Sequence, residues 1–493
     1  MGMRQFLVST AVAGLALPAI AGQPNVLLIL TDDHATSALS AYGSQRIRTP
    51  NLDKLAQQGM RFDRCYATNA ICSPSRAAIL TGKYGHKNGV MAFDRFDGSQ
   101  MHAGAQFQRA GYQTAVLGKW HLVSEPTGFD HWRILPGQGL YIDPVFIDPA
   151  GRTRRAGYAT DLITDDAIGF LKARNKDKPF FLFVGHKAPH RPWQPDDAHR
   201  EMFASKKFIE PESFWDDYSG RSRGLTDNKM RVADDLTRGD LKLLPPEALT
   251  GQARVDWLAV KPTEVEVVVN DKPTILRGKE LASWKYQRYM QDYLACVASV
   301  DKNVGRLMNY LDDSGLSSNT IVIYTSDQGF FLGEHGLFDK RYMYEESIRM
   351  PLLVRWPGEV AENTVAGEIV TNVDLGATLL ELSGQPIPAD TQGRSILPLL
   401  RGSAPPDWPT SFYYRYSIDG GEHNTAAHCG VRTMTHKLIH YYAQGDWELY
   451  DLTTDPMEMN NLFGKPEYEH VTRELQRELS RLQAKYEDAI PGK

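Results

Sequence analysis

The chain has 493 residues, of which 42% are hydrophobic and 23% are charged, as in ordinary globular proteins. That composition excludes wholesale disorder, collagen and coiled coil. The formal net charge of −5 gives no support to nucleic-acid binding, and four cysteines are too few for a disulfide scaffold.

The N-terminus has the pattern of a secretory signal peptide. Arg4 supplies a positive charge, residues 6–19 form a short apolar stretch, and Ala19-Ile20-Ala21 is a small-x-small cleavage site. The stretch is shorter than the roughly 20 apolar residues of a membrane span, although an N-terminal membrane anchor is the alternative. We therefore expect residues 1–21 to be removed and the mature protein to be periplasmic or secreted, without stable membrane insertion.

Short apolar runs predict fully buried strands, and helical periodicity separates some of them. The clearest helix is predicted over residues 284–313, before Gly315, and another over residues 374–382. Strands that alternate with helices indicate an α/β fold with a large, mostly parallel central sheet flanked by helices. The predicted strands are residues 26–30, 114–117, 180–184, 321–324 and 352–354.

Composition changes along the chain suggest a division into parts. Residues 191–279 are polar and weakly periodic, which predicts an insertion with a hairpin at about residues 265–275. The proline-rich residues 404–409 are typical of a linker. We expect a catalytic domain over residues 22–403 and a smaller C-terminal α+β subdomain over residues 404–493, with a small antiparallel sheet and a terminal helix.

Polar side chains directly follow four of the predicted strands. Ligands bind outside the carboxyl ends of parallel strands, so these side chains are expected to converge. Carboxylate and amide oxygens suit a hard cation such as Ca²⁺, whereas lysine and histidine suit an anionic substrate that needs proton transfer. In chain order these residues are Asp32, Asp33, Lys119, His121, His186, His190, Asp327 and Gln328.

The pentapeptide Cys72-Ser73-Pro74-Ser75-Arg76, followed by Leu80-Thr81-Gly82, is the most specific motif in the chain. It resembles the signature of the type I, formylglycine-dependent sulfatases of the alkaline phosphatase superfamily, C-x-P-S-R with a trailing L-T-G. The resemblance covers most of the mature chain and is weakest over residues 191–279. It implies an alkaline-phosphatase-like fold, hydrolysis of sulfate esters, one bound Ca²⁺, and conversion of Cys72 to 3-oxoalanine (formylglycine) by a formylglycine-generating enzyme.

The resemblance also implies roles for individual residues. One hydroxyl of the hydrated aldehyde would attack sulfur, and deprotonation of the other, by His121, would expel sulfate. The leaving alcohol would take its proton from His190, with Lys340 as a further candidate, and His186 would contact substrate. The implied catalytic residues are Cys72, Arg76, Lys119, His121, His190 and Lys340. The implied metal ligands are Asp32, Asp33, Cys72, Asp327 and Gln328, the last of which is Asn in many members.

Residues 333–347 and 423–432 look like the corresponding segments of bacterial carbohydrate sulfatases. This makes His423, His428 and Arg432 candidate contacts to a sulfated carbohydrate, against the alternative of an ordinary strand-and-turn surface. Two other functions stay open. One is hydrolysis of a phosphate, phosphonate or non-sugar sulfate ester within the same superfamily. The other is an inactive protein that binds sulfated glycans.

Overall fold

A computed structural model describes residues 23–269 and 271–490. The predicted signal peptide therefore lies outside the described residues. Within the described ranges, no helix combines the length and apolarity that crossing a membrane requires.

The strands of the described residues are β1 Asn25–Thr31, β2 Met60–Phe62, β3 Cys65–Tyr66, β4 Gln113–Lys119, β5 His131–Leu135, β6 Val145–Asp148, β7 Gly151–Arg154, β8 Phe180–Gly185, β9 Glu264–Val269, β10 Lys272–Arg277, β11 Thr320–Ser326, β12 Phe331–Leu332, β13 Phe338–Asp339, β14 Leu352–Arg355, β15 Thr364–Ala366, β16 Val370–Thr371, β17 Ser411–Tyr416, β18 His428–Thr433, β19 His436–Tyr441 and β20 Asp446–Asp451. The main sheet has ten of these strands in the order β15-β2-β14-β11-β1-β8-β4-β5-β6-β7. Its five central strands, from β11 to β5, are parallel, and antiparallel strands flank them. The predicted α/β fold with a mostly parallel sheet is confirmed.

The central strand β1 shows why the middle of the sheet is apolar throughout. All seven of its residues are buried. Leu27 and Ile29 pack into the core on one face of the sheet, and Val26 and Leu28 pack into the core on the other. Successive side chains of a strand point to opposite faces, so a strand covered on both sides is apolar at every position.

The helices cover both faces of this sheet. The 36-residue helix α9, Gly278–Asp313, begins six residues before the predicted start. The helix α11, Asn372–Leu382, begins with a capping box between Thr371 and Asp374, which satisfies free backbone N–H groups at its first turn. The α-helices of the described residues are α1 Pro50–Gln57, α2 Cys72–Thr81, α3 Gly85–Asn88, α4 Ala103–Arg109, α5 Ala159–Ala173, α6 Arg223–Thr226, α7 Val232–Asp235, α8 Gly251–Ala259, α9 Gly278–Asp313, α10 Glu345–Ile348, α11 Asn372–Leu382, α12 Leu397–Leu400 and α13 Glu469–Tyr486.

The C-terminal part contains a four-stranded antiparallel sheet, β17-β18-β19-β20, with α13 packed against it. Leu475 and Leu479 of α13 share a core cluster with Val431 and Leu438 of the sheet. The segment predicted to be a polar insertion also contributes to the interior, because side chains such as Phe214 join the main core. Its elements are short and each contributes few apolar residues, so the sequence carries little periodicity there.

Candidate active site

The carboxyl ends of β1 and β11 bring four predicted metal ligands together. The two strands pair in parallel, with Thr31 opposite Ser326, so the residues that follow each strand are neighbours. The carboxylates of Asp32, Asp33 and Asp327 offer oxygen atoms that lie within 4.8 Å of one another. All three side chains are buried. This cluster can hold a metal ion.

The donor atoms of the cluster fit a hard divalent cation. The Gln328 Oε1 is buried and has no hydrogen-bond partner, whereas its Nε2 donates to Asp33 Oδ1. Burial raises the pKa of Asp33 to about 7, the charge of Lys340 opposes that rise, and the nearby Asp327 adds to it. Three carboxylates and a free amide oxygen in one buried place match the oxygen ligands that Ca²⁺ takes in proteins.

Cys72 is the first residue of the buried helix α2 and lies against this cluster. Its Sγ donates a hydrogen bond to Asp32 Oδ1 at 3.3 Å. Burial raises the pKa of the thiol to about 12, with Lys340 opposing and Asp327 adding to the rise. The unmodified side chain is therefore a protonated thiol at neutral pH, and a thiol is a weak nucleophile.

Each carboxylate of the cluster has a buried basic partner. These partners come from three separate parts of the chain. Arg76 also donates from Nη1 to the Lys119 carbonyl at 2.8 Å, and Lys119 donates to Gln138 Oε1 at 2.6 Å. The ion pairs are Arg76 with Asp327 at 3.0 Å, Lys119 with Asp32, and Lys340 with Asp33 at 2.7 Å.

The two predicted proton-transfer histidines lie at the same place and are neutral. Burial, and then the charge of Lys119, lowers the pKa of both His121 and His190 well below the ordinary range. His190 Nδ1 donates to the Arg191 carbonyl at 2.6 Å, and its Nε2 lies 3.7 Å from Asp33 Oδ2. Because Nδ1 is held by the Arg191 carbonyl, Nε2 is the nitrogen of His190 that faces the cluster.

The other predicted substrate residues have different surroundings. His186 is fully buried at the end of β8, and burial lowers its pKa to about 4. His423 comes close to the site, because its Nε2 lies 3.2 Å from Asp339 Oδ2, next to Lys340. Its Nδ1 lies 2.8 Å from the Lys229 carbonyl.

His428 and Arg432 contact groups other than the metal cluster. His428 is fully buried in β18, with the nearest tyrosine ring, that of Tyr441, 5.2 Å away. Arg432 pairs with Glu345 at 3.2 Å and lies over the ring of Tyr66. Neither side chain lines the cavity beside the site. The structure therefore gives the expected sugar contacts no support at these two positions.

A cavity of about 1180 Å³ opens beside the cluster. Its wall includes Trp120, whose Nε1 is buried without a hydrogen-bond partner, and Phe93, which is 44% exposed. Gln138 is on the same wall and accepts the hydrogen bond from Lys119, so the cavity lies next to the ion pairs of the cluster. Glu422 reaches the cavity from the C-terminal part and pairs with the buried Arg341 at 2.6 Å.

Sequence reasoning missed several residues at this site. Asp339 and Arg341 flank Lys340 and pair with each other, and both have left-handed backbone, with φ of 76° and 91°. Such backbone is uncommon for residues other than glycine and often marks functional positions. Lys187 stands between His186 and His190, shortly after the predicted strand at residues 180–184. A lysine there gives no signal that separates it from an ordinary surface lysine.

A comparison with known protein families identifies the chain. The family model described as "Sulfatase" matches residues 24–385, and the model "N-sulphoglucosamine sulphohydrolase, C-terminal" matches residues 333–485. The chain belongs to the sulfatase family. It is a hydrolase of sulfuric esters, as the Cys72 motif predicted, and the family typically uses Ca²⁺ and formylglycine.

Individual sulfatases are similar over nearly the whole chain. An N-acetylglucosamine-6-O-sulfatase of Bacteroides thetaiotaomicron is 47% identical over 489 residues, which cover 95% of this chain and 88% of that protein. The human N-acetylglucosamine-6-sulfatase is 26% identical, covering 89% of this chain and 81% of its own. A solved structure in complex with its substrate D-glucosamine-2-N,6-O-disulfate has a TM-score of 0.88 at 44% identity, covering 95% of this chain and 99% of that one.

Proposed function

We propose that this sulfatase is an exported enzyme that removes the 6-O-sulfate from N-acetylglucosamine or glucosamine units of a carbohydrate. The observation that carries the proposal is the 47% identity, along 95% of the chain, to a bacterial N-acetylglucosamine-6-O-sulfatase. The signal-peptide pattern at the N-terminus supports export, because sulfated poly- and oligosaccharides are found outside the cytoplasm.

The reactive group is proposed to be formylglycine made from Cys72. Its support is the C-x-P-S-R motif and the protonated, buried thiol, which is unsuited to attack as it stands. Formylglycine supplies a hydrated aldehyde, whose two hydroxyls serve as the nucleophile and as the group that later releases sulfate. Cys72 is 2% exposed, so its modification is expected before the chain folds.

The metal is proposed to be one Ca²⁺, held by Asp32, Asp33, Asp327 and Gln328 with the modified residue 72. Bound there, the cation supplies positive charge to the sulfate and lowers the pKa of a hydroxyl beside it. Buried oxygen donors, among them the unpartnered Gln328 Oε1, support this choice.

The protein's own cations are proposed to bind the sulfate. Arg76, Lys119 and Lys340 surround residue 72, and a sulfate ester spreads its charge over oxygens that such donors can bind. The same anion would raise the pKa of His190, because a negative charge nearby favours the protonated imidazole. His190 can then protonate the leaving alcohol from Nε2, and His121 can accept a proton in the second step.

The saccharide is proposed to lie between the cluster and the cavity. The predicted C-terminal subdomain, residues 404–493, supplies His423 and Glu422 to the space between the cluster and the cavity. Arg341 keeps a buried Nε without a partner, and Trp120 keeps a buried Nε1 likewise, so both can donate to sugar oxygens. Phe93 offers an exposed ring at the cavity wall, and Gln138 offers an amide.

The test is sulfate release by protein that is coexpressed with a formylglycine-generating enzyme. The substrates are N-acetylglucosamine-6-sulfate, glucosamine-2-N,6-O-disulfate and the C4 epimer N-acetylgalactosamine-6-sulfate as the matched control. We expect release from the gluco compounds, loss of release with a calcium chelator, and recovery on adding Ca²⁺. Equal release from the epimer, or release only from a phosphate ester, would contradict the proposal. Mass spectrometry of the peptide containing Cys72 establishes its conversion in the same sample.

A further inference from the structure

Lys187 is a buried lysine without a carboxylate partner. It lies two residues after β8 and is 2% exposed. Its Nζ donates a long hydrogen bond, 3.4 Å, to the Arg191 carbonyl and lies 4.9 Å from the centre of the Tyr141 ring. Among the described residues, no aspartate or glutamate forms an ion pair with it. A buried ammonium with so little compensation is costly unless a ligand completes its contacts.

Lys187 stands in a segment that contacts the active site. The Asp32 N–H donates to the carbonyl of the next residue, Ala188, at 3.4 Å, and the His190 N–H donates to the Lys187 carbonyl at 3.0 Å. The charge of Lys187 also lowers the pKa values of His121, His190 and Lys119, although burial is the larger cause in each case. Burial lowers the pKa of Lys187 itself to about 8, and the charge of Asp33 opposes that change. At neutral pH most of the protein therefore carries a cation at this position, close enough to influence the groups around residue 72.

Lys187 differs from the neighbouring cations in that it has no carboxylate partner. Arg76, Lys119 and Lys340 each have a carboxylate of the metal cluster within hydrogen-bond distance. Those carboxylates are also the proposed metal ligands. Lys187 forms no ion pair with any carboxylate of the described residues, so its charge stays available to an incoming anion whether or not the metal is bound.

We propose that Lys187 is a further substrate-binding residue of the reaction, and that its Nζ donates a hydrogen bond to an oxygen of the sulfate ester. This inference rests on the proposed function for the identity of the ester. The cation–anion pair forms only when substrate is present, in a buried place where a charged hydrogen bond is strong. Lys187 is therefore expected to set the affinity for sulfated substrates and for the sulfate product.

The test compares Lys187→Met, which keeps the length of the side chain without its charge, with Lys187→Arg. The control is Lys285→Met, because Lys285 is equally buried and its Nζ also donates to a carbonyl, that of Ala233, at 2.6 Å. Two readouts are taken on each converted protein: the rise in melting temperature with inorganic sulfate, and kcat and KM for the sulfated saccharide.

We expect Lys187→Met to lose the stabilisation by sulfate and to raise KM about 10- to 100-fold, the loss of one charged hydrogen bond. Lys187→Arg should keep part of the stabilisation by sulfate and part of the wild-type affinity in KM. Lys285→Met should change neither the stabilisation by sulfate nor KM. Without sulfate, Lys187→Met should melt no lower than wild type, since it removes an unpaired buried charge. Unchanged sulfate stabilisation and unchanged KM in Lys187→Met would overturn the inference. If the wild type released sulfate from no saccharide, the proposed substrate would be wrong, and sulfate-dependent melting alone would decide on Lys187.

Discussion

Arg76 and Asp327 form a buried ion pair that joins the Cys72 helix to the end of β11. The Arg76 Nε donates to Asp327 Oδ2 at 3.0 Å, and both side chains are almost completely buried. The same guanidinium reaches the Lys119 carbonyl from Nη1, so one residue connects the motif, a metal ligand and the strand β4. A lysine donates from a single nitrogen, so we expect it not to span the two acceptors that Nε and Nη1 of the guanidinium reach separately.

We expect Arg76→Lys to lower kcat/KM by about 100-fold or more, the effect of losing one positioned donor in an active site. Urea unfolding measured beside the kinetics separates catalysis from stability. The control is Arg415→Lys, because Arg415 also pairs with a buried aspartate, Asp488, in the C-terminal part. An Arg76→Lys enzyme with wild-type kcat/KM would contradict the sulfate-binding role.

Cys72→Ser tests the need for two hydroxyls at residue 72. Serine has one hydroxyl, so it can take the sulfate but has no second hydroxyl to release it. We expect no turnover, and either a stable sulfated adduct in the intact mass or an unreactive protein. The control is Cys65→Ala, because Cys65 is also a buried free thiol and lies in β3. Repeated turnover by Cys72→Ser would refute the proposed chemistry.

Trp120 tests whether the cavity binds saccharide. Trp120→Phe keeps an aromatic ring and removes the unpartnered Nε1 donor. We expect KM for a sulfated saccharide to rise about 3- to 10-fold, the value of one hydrogen bond, with no change for a small aryl sulfate. Trp408→Phe is the matched control, because Trp408 Nε1 already donates to the Ile369 carbonyl at 2.9 Å. That variant should lose stability and keep KM. An equal KM change for both substrates would place Trp120 outside the sugar contact.

Glu346, in α10, is a source of pH-dependent stability. Burial raises its pKa from 4.5 to about 7, His335 opposes the rise, and Glu334 and Glu458 add to it. Between these pH values the folded protein holds a proton that the unfolded chain has released, so the free energy of unfolding falls as the pH rises from 4.5 to 7.

Glu346→Gln should remove about 1 to 3 kcal/mol of that fall. Urea unfolding at both ends of the pH range, on wild type and variant, measures the difference. Glu359→Gln serves as the control, because Glu359 is an exposed partner of Arg401. The same pH dependence in wild type and Glu346→Gln would exclude this carboxyl as the cause.

The sequence predicts the metal cluster because one topological rule covers it. Asp33 and Asp327 are 294 residues apart, yet each follows a strand of a parallel sheet, and parallel strands end at the same edge. The partners of the cluster do not follow from that rule. Gln138 lies in an exposed turn, and only the packed structure shows that it accepts from Lys119.

The C-terminal sheet is a second example of contacts that the sequence does not predict. The likeness of residues 423–432 to bacterial carbohydrate sulfatases makes His428 and Arg432 of β18 candidate sugar contacts. The strand β18 is an interior strand of the sheet, and the tyrosines that enclose His428 come from three other segments, among them β17 and β19. Which polar side chain of a strand faces a site depends on packing between distant segments, which a single sequence does not encode in any local pattern.

His423 touches both the Asp339 carboxylate and the Lys229 carbonyl, so the mouth of the site is a junction of three distant stretches of chain. None of the three can be exchanged alone without breaking the contacts of the other two. Redesign of this enzyme for another sulfated sugar will therefore need the loops around residues 229, 339 and 423 to be transplanted as one set.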